Sequence, residues 1–178
     1  MRSILAKNSG FCPGVRRADT QIQKLISERA PNDKIYTLGN LIHNRIYNEQ
    51  LSDSGVTSIT FGEVGEIVKN SDGFNVHVLI RTHGIPKEEF EHISALAEKY
   101  CNLRVYDMTC PYVKRIHSIA SENTDENTVF LLFGHADHPE SIGIFSYANG
   151  EKYIFSSANE LKSLDLHGKM PKIGRAHV

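Results

Sequence analysis

One six-residue stretch occurs twice in this chain, as Cys12-Pro13-Gly14-Val15-Arg16-Arg17 and again as Cys110-Pro111-Tyr112-Val113-Lys114-Arg115. Four of the six positions are identical, and a fifth keeps its positive charge. Self-similarity at such a long spacing indicates that one structural unit is used at least twice. The two cysteines, 98 positions apart, are therefore expected to occupy equivalent places in a pseudo-symmetric molecule.

The proline after each cysteine predicts that each cysteine stands at the start of a helix. Proline suits the first helical position because no partner is needed there for the N–H group that it lacks. Main-chain N–H groups and the helix dipole at such a position favour a thiolate, which metals and electrophiles require. Two small buried side chains are the alternative. A phosphatase-type loop is excluded, because Ala18 and Ile116 stand where it would need an arginine.

The composition describes a globular chain of 178 residues, of which 40% are hydrophobic, enough for one ordinary domain or two small ones. A net charge of −1 offers no electrostatic footprint for nucleic acid or an anionic membrane. The apolar run Val129 to Phe133 is too short to span a bilayer, and the N-terminus lacks a signal-peptide core. We therefore expect a cytoplasmic protein. Three widely spaced cysteines then favour metal binding or catalysis over disulfides.

Strand-like and helix-like segments alternate along the chain. Strands are expected at Arg2 to Lys7, Ile35 to Leu38, Val56 to Phe61 (an edge strand), Phe74 to Ile80, Leu103 to Tyr106, Thr128 to Phe133 and Tyr153 to Phe155. Helices are expected after Cys12, from His43, from Lys87 to about Lys99, from Tyr112 to Glu122, from Pro139 and from Ser157 to Ser163. This alternation predicts an α/β fold with parallel sheets, in which ligands bind beyond the carboxyl ends of the strands.

Each candidate site residue follows one of these predicted strands within a few positions. The candidates are Cys12, His43, His83, Cys110, His138 and Glu140. Alone, His43 and His83 are better read as ordinary polar histidines, but beside two cysteines they become candidate anion-binding or proton-transfer groups. His138-Pro139-Glu140 reads either as an acid–base pair at a helix start or as a surface turn.

The remaining histidines and the third cysteine give weaker signals. His135 is a possible supporting partner of the acid–base pair, and Cys101 reads as a free thiol outside the repeat. His77, His92, His117 and His167 are expected to be solvated or packed. Structural zinc is disfavoured because neither repeated cysteine has a second ligand close by in sequence. Single cysteines from separate units suit a shared iron–sulfur cluster, although two thiolates do not hold a cubane.

Five motifs together resemble the 4-hydroxy-3-methylbut-2-enyl diphosphate reductase family, of the LytB type. They are Gly10-Phe11-Cys12-Pro13-Gly14-Val15-Arg16-Arg17-Ala18, Ile42-His43-Asn44, Thr82-His83-Gly84, Asp107-Met108-Thr109-Cys110-Pro111-Tyr112-Val113 and Gly134-His135-Ala136-Asp137-His138-Pro139-Glu140. The motifs occur in the family's order and span residues 1 to about 165.

The resemblance implies an iron–sulfur oxidoreductase built as a trefoil of three pseudo-symmetric parallel-sheet α/β units around a 4Fe-4S cluster, with one cysteine ligand from each unit. Cys12 and Cys110 would be two of those ligands. The implied reaction is the last step of the methylerythritol phosphate route to isoprenoids, which removes an allylic hydroxyl to give isopentenyl and dimethylallyl diphosphates. By similarity, His43, His83 and His138 would bind the diphosphate and Glu140 would deliver protons. Ferredoxin or flavodoxin would supply the electrons.

The match to the family stops before its third unit, and a further step of about 98 residues would place a third cysteine near position 208, past the end of the sequence. We therefore expect a truncated chain that is inactive as it stands: residues 1–12 as a strand that belongs with the third unit, 13–109 as the first unit, 110–172 as an incomplete second unit, and 173–178 as an artefactual tail without helix or strand pattern. The alternative is a cluster-free module that binds a small diphosphate.

Overall fold

A computed structural model describes residues 4, 9–166 and 168–175, and helices and strands alternate through them. The helices are α1 (Pro13–Glu28), α2 (Arg45–Asp53), α3 (Val64–Lys69), α4 (Lys87–Lys99), α5 (Pro111–Glu122), α6 (Pro139–Tyr147) and α7 (Ala158–Ser163). The strands are β1 (Lys34–Leu38), β2 (Val56–Ile59), β3 (Val76–Ile80), β4 (Leu103–Asp107), β5 (Thr128–Phe133), β6 (Glu151–Phe155) and β7 (Met170–Arg175). The strand predicted over Arg2 to Lys7 lies largely outside the described residues.

The first sheet has four parallel strands in the order β2-β1-β3-β4, with β2 at the edge as predicted. Side chains along a strand alternate between its two faces. Ile35 and Leu79 pack with α1 and α2 on one face, whereas Val78 and Ile80 pack with α3 and α4 on the other. Both faces are thus covered by helices, and the predicted parallel α/β fold is confirmed.

The second sheet has three parallel strands in the order β6-β5-β7. Phe130 and Leu132 pack beneath α5 and α6, and Val129 and Leu131 face the opposite side. The two sheets share one pattern of order: in each, the first strand in sequence lies between the second and the third. The first sheet continues to a fourth strand, β4, for which the second has no described counterpart. The unit boundaries predicted from the repeat stay a prediction.

Three elements were not predicted from the sequence. A short 3-10 helix, Phe61–Glu63, leads into α3, and a capping box between Thr60 and Glu63 fixes the start of this segment. That Thr-x-x-Glu spacing was a readable signal. The third is β7: residues 173–175 show no strand pattern in the sequence, yet they belong to this strand because β5 supplies their hydrogen-bonding partner. The artefactual origin of residues 173–178 stays a prediction.

None of the helices among the described residues is both long enough and apolar enough to cross a bilayer.

Candidate functional site

The two repeated cysteines occupy the same local position. Cys12 is the N-cap residue of α1 and Cys110 is the N-cap residue of α5, and each is followed by proline in the first helical turn. Neither side chain accepts a capping hydrogen bond, and both cysteines are free thiols. Cys12 is exposed and Cys110 is half-buried. The predicted helix starts are therefore confirmed.

The loops that carry these cysteines are in direct contact. A Cβ placed on Gly14 would lie only 2.7 Å from Cys110 Sγ, so the main chain just after Cys12 passes directly beside the second sulfur. Arg17 Nη2 donates to the carbonyl oxygens of Thr109, at 2.8 Å, and Asp107, at 3.2 Å. The first repeat thus holds the main chain that leads into Cys110. The assignment of both cysteines as cluster ligands stays a prediction.

Three histidines from three separate loops come together. The rings of His43 and His83 stack, with centroids 4.2 Å apart and planes at 29°. The ring of His138 stands nearly perpendicular to both, with its centroid 5.5 Å from that of His43 and 6.1 Å from that of His83. His83 and His138 follow β3 and β5, and His43 follows β1. Such a set, here called the histidine cluster, offers several N–H donors to one anion.

His83 is held in the neutral state. Burial lowers the pKa of His83 to about 4, and positive charge on His43, His138 and Arg81 acts in the same direction. Its Nδ1 is buried and has no hydrogen-bond partner among the described residues. Arg81 Nε donates to the carbonyl of Gly84 at 3.0 Å, which holds the turn that carries His83. Gly84 has φ of +77°, a conformation that glycine adopts without strain.

His138 and Glu140 form the start of α6. His138 is the N-cap residue, and its Nδ1 accepts from the main-chain N–H of Glu140 at 3.2 Å. In the neutral imidazole the ring proton then stands on Nε2, which is available as a donor. Glu140 is only 3% exposed, so its carboxyl group is shielded from bulk water. The helix start predicted at Pro139 is confirmed, whereas the acid–base pairing of His138 with Glu140 and the role of Glu140 in catalysis stay predictions.

His117 is a buried residue that the sequence did not mark as part of the site. It is 6% exposed, and its ring stacks on Tyr147 of α6, with centroids 4.1 Å apart. Its Cε1 lies 3.0 Å from the position of a Cβ on Gly84, so the ring supports the turn of His83 from behind. Burial lowers the pKa of His117 to about 4, against a smaller opposing effect of Asp107. The sequence did contain a signal for this burial: His117 falls on the same face of α5 as the buried residues Val113 and Ala120.

Among the described residues, the other histidine rings and Cys101 make no ring contact with the histidine cluster. His77 contacts the hydroxyl of Tyr106 at 3.0 Å and Asp33 at 3.4 Å, and His92 packs edge-on against Phe61. Cys101 is an exposed free thiol in the turn before β4. His135 is exposed, and its carbonyl accepts from the N–H of His138. His167 lies outside the described residues.

Two hollows adjoin these groups. A cavity of about 380 Å³ lies between α4, α5 and α6, and Asp107, Lys114, His117 and Tyr147 are among its lining residues. A groove of about 670 Å³ runs past His43 between α2 and the β2 edge. Among the described residues, no group of three or more histidine, cysteine or acidic side chains is arranged to hold a metal ion.

Comparison with known proteins finds one family across nearly the whole chain. A model of the family described as LytB protein matches residues 4–176. The 4-hydroxy-3-methylbut-2-enyl diphosphate reductase of a Nitratiruptor species is 37% identical over 175 residues, which is 98% of this chain and 57% of that protein. The enzyme of the same name from Aquifex aeolicus is 37% identical over 161 residues, 89% of this chain and 50% of that protein.

Solved structures give the same result for the fold. The structure described as (E)-4-hydroxy-3-methyl-but-2-enyl diphosphate reductase, the terminal enzyme of the non-mevalonate pathway, superposes with a TM-score of 0.70 at 30% identity. The match covers 97% of this chain and 57% of that one. The corresponding reductase from Plasmodium falciparum, at 24% identity and a TM-score of 0.71, shares the fold. The chain spans about half the length of the relatives that it matches.

Proposed function

Because this chain belongs to the LytB protein family, we propose that it forms the diphosphate-binding part and two-thirds of the cluster-binding part of a 4-hydroxy-3-methylbut-2-enyl diphosphate reductase. In this reaction the allylic C–O bond breaks, two electrons and two protons are taken up, and water leaves with the former hydroxyl oxygen. The products are isopentenyl and dimethylallyl diphosphates. Relatives of this name match nearly the whole chain, which supports the proposal.

The histidine cluster is the observation that carries the diphosphate-binding role. His43, His83 and His138 reach one place from three loops, with all ring centroids within 6.1 Å of one another. Imidazoles donate N–H groups to phosphate oxygens, so three rings around one place can hold several oxygens of one diphosphate. The start of α6 adds the main-chain N–H groups of a helix N-terminus.

In this proposal, Glu140 holds a proton next to the substrate. Its carboxyl group is buried, and its main-chain N–H orients the ring of His138. His138 in turn belongs to the histidine cluster, and Glu140 follows His138 by two residues. An anion bound at the cluster therefore lies beside the helix start that carries this carboxyl group. A positioned carboxylic acid that protonates the departing oxygen is worth roughly 10²–10⁴ in rate. In this proposal, Glu140 is that acid.

Cys12 and Cys110 fit two positions of a 4Fe-4S cluster. Both are unpaired N-cap thiols on contacting loops, and thiolate sulfur is the donor that iron–sulfur clusters require. When bound, the cluster would supply electrons and Lewis acidity for the cleavage of the C–O bond. The protein residues bind the diphosphate tail, exclude water and deliver protons. The cytoplasmic location and a ferredoxin or flavodoxin donor are part of this proposal.

A third thiolate is required before the cluster is complete. The described residues hold no three-ligand set, and Cys101 lies in the turn before β4, outside the repeat. The repeat spacing assigns the third cysteine to a third unit near position 208. We therefore expect the 178-residue chain alone to bind diphosphate without turning over substrate. A cluster-free diphosphate-binding module is the second candidate, and it would use the histidine cluster alone.

Calorimetry with inorganic diphosphate, under anaerobic conditions, tests the binding role. The chain should bind the probe, and His83→Gln should weaken binding at least tenfold. His92→Gln is the matched control, because His92 packs against Phe61 away from the cluster. Equal affinities for the two variants would contradict the role of the histidine cluster.

Iron loading separates the two candidate functions. The chain joined to the remaining part of the Nitratiruptor relative should take up about four irons under anaerobic reconstitution and develop visible absorption. Cys12→Ser and Cys110→Ser should each abolish a stable cluster. A fusion that binds diphosphate with full affinity but never holds iron would identify the cluster-free module instead.

A further inference from the structure

His117 lies between two segments that carry members of the histidine cluster. Its Cε1 is 3.0 Å from the position that a Cβ on Gly84 would take, in the turn of His83 after β3. Its Nε2 is 3.5 Å from the corresponding position on Gly143 in α6, the helix that His138 caps. One ring therefore packs between a turn of the first sheet and a helix of the second.

Packing holds the ring of His117 in this position. The ring stacks on Tyr147 of α6, with centroids 4.1 Å apart and planes at 11°, and the residue is 6% exposed. Its Nε2 has no hydrogen-bond partner in the described part of the chain. The carbonyl oxygen of His83 lies 3.7 Å from the Cβ position on Gly143, so the turn and the helix meet directly beside the ring. The size of the ring thus sets how closely they approach.

The spacing of His83 and His138 matters because a diphosphate carries two phosphate groups joined through one oxygen. The centroids of the two rings are 6.1 Å apart, and the rings belong to loops of different sheets. Once one phosphate group is bound, the second binds as an intramolecular event, which is favourable only if its partner is already at the right distance. A single phosphate group gains nothing from that distance. A residue that fixes the spacing therefore favours diphosphate over orthophosphate.

We propose that His117 is a positioning residue that makes the histidine cluster selective for a diphosphate over a single phosphate group. This inference rests on the proposed function, in which the cluster binds the diphosphate of the substrate. His117 itself contacts no phosphate. Its ring is a spacer between Gly84 and Gly143, and through them it sets the separation of His83 from His138. A flat ring without nitrogen atoms serves the same purpose, because Nε2 has no partner in the described part.

Calorimetry of the 178-residue chain with inorganic diphosphate and with orthophosphate tests the spacer role. His117→Ala removes the ring and should weaken diphosphate binding about tenfold, while orthophosphate binding changes by less than about twofold. His117→Phe keeps a flat ring that stacks on Tyr147, so it should retain the preference of the original chain. The alanine variant should stay folded, because the N–H of Lys87 also joins the segment after His83 to Ser146 Oγ of α6, at 2.9 Å.

Val68→Ala is the matched control for a general loss of stability. Val68 is buried under α3 in the core of the first sheet, so its truncation destabilises the chain without removing a ring beside the histidine cluster. This variant should keep the preference for diphosphate. NMR gives a spectroscopic check, because the stacked rings of His43 and His83, 4.2 Å apart, shift the signals of one another. These signals should move in His117→Ala and stay in place in Val68→Ala.

Several results would overturn the spacer role. Equal weakening of diphosphate and orthophosphate binding in His117→Ala is one, and loss of the preference in His117→Phe or in Val68→Ala is another. If the alanine variant does not fold, His117→Leu, which also lacks a flat ring, takes its place with the same expectation. An original chain that binds neither probe would overturn the proposed function together with the spacer role. An original chain that binds diphosphate, with no change in His117→Ala, would overturn the spacer role alone.

Discussion

Cys110 Sγ lies against the main chain of Gly14, at a position where a Cβ on Gly14 would come within 2.7 Å of the sulfur. This contact joins the two halves of the internal repeat, because Gly14 follows Cys12 by two residues. Only glycine leaves room for it, since real Cβ atoms do not approach other heavy atoms so closely. The position of the second thiol therefore depends on a residue of the first repeat.

Gly14→Ala should destabilise the chain and displace the sulfur of Cys110. Overpacking costs about 1–3 kcal/mol, and alanine recovers up to about 1 kcal/mol of helix propensity, so the free energy of unfolding should fall by up to about 2 kcal/mol. Urea unfolding measures the change. The matched control is Gly65→Ala in α3, where a Cβ meets nothing within 4 Å and the free energy of unfolding should rise. A higher free energy of unfolding in both variants would show that the Cys110 side chain moves away freely.

His117→Phe should reduce the loss of stability at mildly acidic pH. The pKa of His117 in the folded chain is about 4, below its ordinary value of 6.5. Between these values the unfolded chain binds more protons, so the free energy of unfolding falls as the pH falls through this window, by at most about 3 kcal/mol. Phenylalanine preserves stacking on Tyr147 and sacrifices no hydrogen bond at Nε2, which has no partner in the described part.

Tm measured from pH 7 to pH 4.5 should therefore decline less steeply in the variant. Some decline remains, because the pKa of His83 is also about 4 and this histidine titrates in the same window. Parallel curves for the variant and the original chain would show that His117 is not forced to stay neutral.

His138→Asn should separate the two roles of His138. Asparagine is a good N-cap residue, so the start of α6 should keep its stability, whereas His138→Ala should cost about 1 kcal/mol. Both variants remove the ring that stands beside His43, and both should weaken binding of inorganic diphosphate. Unfolding in urea and calorimetry are the two measurements. Full diphosphate affinity in the asparagine variant would show that His138 caps α6 and takes no part in binding the diphosphate.

Arg81→Met should raise the pKa of His83. Burial is the larger cause of the low pKa, and the positive charge of Arg81 contributes in the same direction. Removing that charge should bring the pKa from about 4 partway toward 6.5, as followed by NMR titration of the imidazole. Arg81→Lys keeps the charge but loses the Nε bond to Gly84, so it should leave this pKa nearly unchanged while costing about 1 kcal/mol of stability.

Much of the fold could be read from local patterns. Proline after each cysteine placed both at helix starts, and all five predicted strands from Ile35 to Phe133 are present. These signals depend on residues close in sequence, whose spacing matches the period of a helix or strand. The strand β7 escaped prediction because Lys-Met-Pro-Lys-Ile-Gly-Arg carries no alternating pattern, and its pairing comes from β5, which lies far earlier in the chain.

The sequence by itself determined the α/β class, the duplicated cysteine corners and the set of residues from which the site is chosen, because these depend on spacing along the chain. Only the tertiary structure decided that His43, His83 and His138 meet, that His117 supports them, and that Gly14 makes room for Cys110. The physical reason is that the order of strands in each sheet determines which loops become neighbours. The strand order depends on how helices pack on both faces of each sheet, and no single segment of the sequence specifies it.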